Sequence, residues 1–177
     1  MTGNILVAGG AGYIGSHMVR YLLTQGVSPV VLDNLSNGHI ESLPQGVKFF
    51  QESLQNRSAL EKILRDEKIT HVINFAAHAY VGESVNEPLK YYSNNVSGTI
   101  SLLEAMQSVG VKFLVFSSTC ATYGTPNQLP ITESEPQKPI NPYGETKLTI
   151  ENLLAAMAVQ KQIGYAALRY FNAAGAA

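Results

Sequence analysis

With 177 residues and a formal net charge of −1, the chain has room for one well-filled domain, and 14% charged residues is well below the roughly 25% of ordinary soluble domains. No Lys or Arg run is present to track a nucleic acid or an anionic membrane, no apolar run nears the ~20 residues of a membrane span, and the single Cys120 cannot form an intrachain disulfide. Low charge with 45% apolar content suits strands buried on both faces, and the N-terminal segment lacks signal-peptide features, so the chain reads as soluble and cytoplasmic.

Short apolar runs alternate with segments of helical period, the mark of βαβ units. A strand over Ile5–Ala8 leads into Gly9-Gly10-Ala11-Gly12-Tyr13-Ile14-Gly15, and a helix runs from Tyr13 to Gln25, stopped by Gly26. Glycines at this strand-to-helix turn let the backbone approach a pyrophosphate, which the helix N-terminus then attracts. A second strand, Val30–Asp33, ends in an acid followed by Asn34. An acid about 20 residues past such a loop can hold the adenosine ribose hydroxyls, and its charge repels a 2′-phosphate, which favours NAD over NADP. The third strand is Val47–Phe50, and Ser58 with Glu61 has capping-box spacing for the helix after it. His71–Phe75 is the fourth strand. The next helix has Pro88 in its first turn and Val96, Ile100, Leu103 and Met106 on one face. Phe113–Ser117 is the fifth strand, Gly124–Pro142 a proline-rich loop over a site, Tyr143 to about Gln162 a helix, and Ala166–Tyr170 the sixth strand. The fold class is α/β: a doubly wound parallel sheet of Rossmann type, about six strands with helices on both faces.

Tyr143 and Lys147 are one turn apart and share a helix face. A phenol with pKa near 10 is a poor base at neutral pH, and lowering it by about three units takes roughly 4 kcal/mol. The lysine ammonium and a cationic nicotinamide ring together are expected to supply that. Ser and Thr side chains follow the fifth strand, where open α/β sheets bind their ligands, and a hydroxyl there can pass a substrate proton to the tyrosine.

The glycine loop, Asp33, the runs FSSTCATYG (116–124) and PYGETK (142–147), and the ending RYFNAAG (169–175) together resemble the extended short-chain dehydrogenase/reductase family. The likeness covers essentially the whole chain, and VGESVNEPLKYYSNNVSGT (81–99) is close to the pattern of its nucleotide-sugar epimerases. The resemblance implies oxidation and reduction at C4 of a UDP-sugar with NAD as cofactor. It implies Tyr143 as base, Thr119 as hydroxyl relay, and Lys147 as tuner of the tyrosine and ribose ligand. Thr119, Tyr143 and Asn172 would touch the UDP-sugar. The cofactor would be held by Gly9, Gly12, Tyr13, Ile14, Gly15, Asp33, Asn34, Ser53, Leu54, Phe75, Ala76, Ala77, Asn95, Ser117, Tyr143, Lys147 and Tyr170. A homodimer packed through the helix from Tyr143 and the one spanning Val96 to Met106 is also implied. So is a substrate domain beyond residue 177, which makes residues 1–177 the NAD-binding domain of a longer chain.

Two positions depart from family patterns, and two more distinguish the chain from its dehydrating and decarboxylating relatives. Ser53 stands where an adenine-contacting aspartate is usual, and Ala79 where many 4-epimerases carry lysine. Cys120 and Ala121 replace the Asp-Glu pair with which sugar-nucleotide dehydratases eliminate water, and Ala121 replaces a glutamate of the decarboxylases, which disfavours both activities. His17, His39, His71 and His78 lack metal-ligand spacing, so no metal is expected. The readings left open are epimerisation of a UDP-pentose or UDP-N-acetylhexosamine, an ordinary NAD-linked sugar dehydrogenase, and a catalytically silent NAD-binding domain.

Overall fold

The computed structural model describes residues 4–175. Six strands form one parallel sheet: β1 (Asn4–Ala8), β2 (Val30–Asp33), β3 (Lys48–Gln51), β4 (Ile69–Asn74), β5 (Phe113–Ser117) and β6 (Gly164–Leu168). Their spatial order is β3-β2-β1-β4-β5-β6, so the winding reverses between β1 and β4. In register, Ala8 sits beside Leu32 and Asn74, and Asn74 beside Phe116. The strands therefore end together along one edge, and the reversal opens a crevice there.

Helices α1 (Tyr13–Thr24), α2 (Arg57–Asp66), α3 (Val81–Asn86), α4 (Pro88–Tyr91), α5 (Gly98–Val109) and α6 (Pro142–Val159) cover the sheet unequally. Alternate residues of a strand face opposite ways. Leu6, Leu32, Val72, Leu114 and Phe116 pack on Leu60 and Leu64 of α2, Leu102 and Met106 of α5, and Ile150 and Leu154 of α6. On the other face, Val7, Val31 and Ile73 pack on Val19 and Leu22 of α1, with the partly buried Met18, Val27, Leu43 and Val47 at the margin. Beyond the reach of α1, Ile5, His71, Phe113, Val115 and Tyr165 line an apolar hollow, with Phe113 54% exposed. No helix among the described residues is long and apolar enough to cross a membrane.

Several boundaries differ from the sequence reading, each for a local reason. The sixth strand forms at Gly164–Leu168, two residues before the expected Ala166–Tyr170, because it pairs along the whole of β5, with Phe113 opposite Gly164 and Ser117 opposite Leu168. That register leaves Arg169 and Tyr170 outside the strand. The second helix is not opened by a Ser58–Glu61 box. Asn56 is its cap, accepting from the Ala59 N–H at 3.3 Å, while Glu61 pairs with Arg57 at 2.8 Å. The helix expected from Pro88 to Met106 is three segments. Between α4 and α5, residues Tyr92–Ser97 are wound as a π-helix. About 4.4 residues per turn in that stretch shifts the phase of all that follows. Ile100, read as part of the buried face, is 39% exposed, at the margin of a stripe whose buried residues are Leu102, Leu103, Ala105 and Met106. The last helix starts at Pro142 because Asn141 caps it, accepting from the Gly144 N–H at 2.8 Å.

Candidate active site

The glycine loop is closed too tightly for any side chain at two places. Gly9 has φ +73°, and a Cβ there would lie 2.5 Å from the Ala76 nitrogen; a Cβ on Gly15 would lie 2.1 Å from the Gly9 carbonyl oxygen. No side chain caps α1, so its first N–H groups and positive dipole end face an anion unaided. Asp33 fixes the loop from β2, with 7% of its surface exposed. The Ala11 N–H donates to Asp33 Oδ2 at 3.0 Å and the Leu35 N–H to Oδ1 at 2.8 Å. A carboxylate has about four lone-pair directions, so acceptor capacity remains for ribose hydroxyls.

A cleft runs from this loop past the ends of β2, β3 and β4. Gly9, Gly12, Asp33, Asn34, Ser53, Leu54, Phe75, Ala76 and Ala77 line it, all expected from the sequence. Leu32, Ser36, Asn37, Gly38, Glu52 and Asn94 line it too and were not expected. Gly38 had a signal in the NG dipeptide after β2; a Cβ there would stand 3.0 Å from both Asp33 carboxylate oxygens. At the expected adenine end, Ser53 Oγ accepts from the Gln55 N–H at 3.2 Å. The neighbouring Glu52 carboxylate accepts from the Ser53 N–H at 2.7 Å and Asn56 Nδ2 at 2.9 Å. Tyr13 and Ile14 lie elsewhere, lining a hollow with His17 and Ala173–Gly175. The loop, the carboxylate and the open groove fit a dinucleotide.

A second cluster sits where β5 and β6 end. Lys147 on α6 is 3% exposed, and its Nζ donates to the Ser117 carbonyl at 2.8 Å while lying 4.9 Å from the Phe116 ring centroid. Burial lowers its pKa to about 8, against an opposing pull from Glu151. Tyr143, one turn earlier, is half-buried with Lys147 Nζ 5.8 Å from its ring. Its backbone N–H donates to Ser84 Oγ on α3 at 3.2 Å, and its ring meets Tyr91 edge-on at 6.5 Å. Burial raises the Tyr143 pKa, and the adjacent Thr119 hydroxyl opposes this by stabilising the phenolate. The expected downward shift is thus not produced by the chain's own groups, because burial outweighs them and the lysine points at a carbonyl. Thr119 is buried at the head of the Cys120–Thr122 turn, accepting from the Ala121 N–H at 3.1 Å. Tyr170 shares a hydrogen bond with Ser117 Oγ. Asn172, expected to contact substrate, is exposed on the segment after β6.

Asn95 joins the cleft to this cluster. From the π-helical turn its Oδ1 accepts from the His78 N–H at 2.8 Å, and its Nδ2 donates to the His78 carbonyl at 3.0 Å and to Thr146 Oγ1 on α6 at 3.3 Å. Its amide clamps the Ala76–His78 wall to the helix that bears Tyr143 and Lys147.

Comparison with known proteins agrees with this arrangement. The chain is 55% identical over 172 residues to the UDP-glucose 4-epimerase of Lactobacillus helveticus, which covers 97% of this chain and 52% of that protein. It is 43% identical to UDP-arabinose 4-epimerase 1 of Arabidopsis thaliana, across 97% of this chain and 43% of that one. The crystal structure of UDP-glucose 4-epimerase from Brucella ovis in complex with NAD superposes with a TM-score of 0.96 at 51% identity, over 99% of this chain and 54% of that one. The chain thus spans about half the length of the curated relatives it matches. The pattern of the NAD dependent epimerase/dehydratase family matches residues 5–177, and the chain belongs to that family.

Proposed function

We propose that this chain is the NAD-binding portion of a UDP-sugar 4-epimerase that interconverts UDP-galactose and UDP-glucose. The observation that carries the reading is the second cluster: Tyr143 and Lys147 one turn apart on α6, Lys147 Nζ on the Ser117 carbonyl, and the Thr119 hydroxyl beside the phenol. It lies at the strand-end edge, joined through Asn95 to the wall of the cleft that fits the cofactor. NAD would supply the acceptor, and then the donor, of the C4 hydride, so no external oxidant is consumed. Tyr143 takes the proton from the sugar 4-hydroxyl, with Thr119 as relay, and returns it when the opposite face of C4 is reduced. The buried Lys147 holds the Ser117 strand end in place, and the positive charge of bound NAD would favour the phenolate.

The glycine loop and α1 take the pyrophosphate, and Asp33 takes the adenosine ribose and disfavours a 2′-phosphate. The chain's own share is cofactor binding and proton handling, and most contacts to the UDP-sugar are assigned to a domain beyond these residues. Cys120 and Ala121 where dehydration needs acids support epimerisation. A UDP-pentose substrate is the second reading, on the 43% identity to an enzyme named for UDP-arabinose. We also infer a homodimer through α6 and the segment from Val96 to Met106, on which Ile100 is exposed. The test is conversion of UDP-galactose to UDP-glucose by the intact protein. Tyr143→Phe should lower turnover by about 100-fold or more while NAD stays bound. Near-normal turnover in that variant overturns the assignment.

A further inference from the structure

One buried carboxylate outside the proposed proton path ties together every segment that carries it. Glu151 is on α6, one turn beyond Lys147 and two beyond Tyr143, and is 6% exposed. Its oxygens accept from four side-chain donor atoms. Arg169 Nε is at 2.9 Å, Arg169 Nη2 at 2.6 Å, Gln137 Nε2 at 3.1 Å, and the Ser118 hydroxyl makes the fourth bond. Ser118 directly precedes Thr119. Arg169 directly follows β6, where the shifted register leaves it free of the sheet. The arginine also donates to the Tyr123 hydroxyl at 3.0 Å and to Gln137 Oε1 at 3.2 Å, with its guanidinium 5.3 Å from the Tyr123 ring centroid.

Three consecutive residues at the end of β5 are therefore placed in different ways. Lys147 holds the Ser117 carbonyl and Glu151 holds the Ser118 hydroxyl, both from α6. Thr119 follows, buried, its hydroxyl accepting from the Ala121 N–H and near enough to Tyr143 to favour the phenolate. A further brace comes from the next residue after Arg169: the Tyr170 carbonyl accepts from the Cys120 N–H at 3.1 Å. Spacing on the helix sets the geometry, because residues 143, 147 and 151 recur at one-turn intervals along one face. Arg169 compensates the Glu151 charge with a planar two-pronged contact that a lysine cannot copy.

We propose that Glu151 and Arg169 are positioning residues that set Thr119 against Tyr143 by anchoring Ser118 to α6. The proposal rests on the reading of Tyr143 and Thr119 given above. A misplacement of about 1 Å in such a constellation costs on the order of 100-fold in rate.

The test compares kcat, KM and thermal midpoint of the intact protein with those of three variants. Glu151→Gln keeps the shape and one acceptor oxygen but loses the charge and one oxygen. It should lower kcat by about 10- to 100-fold while KM for UDP-galactose and NAD affinity stay within about threefold. Arg169→Lys should fall between that variant and the unmutated protein. In the double variant Glu151→Leu/Arg169→Met an apolar pair replaces the ion pair, a change that often preserves stability. Its thermal midpoint should recover while kcat stays low, because Ser118 has lost its acceptor. Recovery of kcat along with stability, or a Glu151→Gln enzyme with unchanged kcat, overturns the proposal. Turnover surviving Tyr143→Phe would instead remove the reading beneath it, a separate outcome.

Discussion

Lys147 shows how far a single side chain can stand from its solution chemistry. Taking the ammonium out of water brings its pKa from 10.5 to about 8, so the charged form costs folding about 3 kcal/mol. The unfolded chain holds that proton more tightly than the folded one. The cost is therefore present in full below pH 8 and fades as pH rises towards 10.5, which makes stability rise with pH across that window. Lys147→Met should lose this rise, read as urea midpoints between pH 7 and pH 10; an unchanged slope would mean that the ammonium is hydrated. Asp33 carries the other residue-scale prediction. Replacing it with Asn puts an amide where a backbone N–H now donates, and such a lost bond costs about 1–3 kcal/mol. Titration calorimetry should show weaker NAD binding and a smaller preference over NADP. Equal affinity of the unmutated chain for both cofactors would refute the charge argument. Both residues were legible in the sequence because their spacing is local. The direction of the Tyr143 shift was not, since it depends on how deeply the ring is buried by α3 and α4.

The limits of local reading show at the scale of elements. Periods of 3.6 and 2 found five strands and the starts of α1, α2 and α6 within a residue or two. They missed the π-wound turn at Tyr92–Ser97, because no residue type there calls for it; the turn carries Asn95, whose side chain bonds His78 and Thr146 from distant segments. They misplaced β6 because an exposed edge strand has no alternation to read, and its register comes from its partner β5. Which face of α5 is buried can be tested directly. Leu102→Ala should destabilise the chain by about 2–5 kcal/mol, from a position with no exposed surface. Ile100→Asp should leave monomer stability within about 0.5 kcal/mol. It should shift sedimentation equilibrium toward monomer if α5 forms the dimer face. The opposite pattern would put Ile100 back on the buried face read from the sequence.

For the whole molecule, the uneven cover of the sheet matters most. Three helices close one face, while the α1 side leaves Phe113 54% and Tyr165 37% exposed over the last strands. The alternation of strands and helices counted the layers correctly but could not say which face each helix takes, since that depends on crossover geometry. Exposed apolar surface of this kind binds partners or aggregates. The 177-residue chain should enhance the fluorescence of a hydrophobic dye, and Phe113→Glu should reduce the signal without changing the thermal midpoint by more than a few degrees. An unmutated chain that leaves the dye dark would show the hollow to be closed in solution.

The tightness of the glycine loop also has a kinetic side. With Gly9 against the Ala76 backbone and Gly15 against Gly9, the cradle cannot widen without pulling α1 off the end of β1. A mouth shaped before its guest arrives needs no gate to open, so capture of the dinucleotide proceeds at the pace of diffusion and orientation. Variants that touch the ribose or the pyrophosphate will differ chiefly in how quickly the guest escapes. If the proposed reaction holds, residence time decides how many cycles run before the cofactor is lost, and the loop's tightness acts on it from the side of departure.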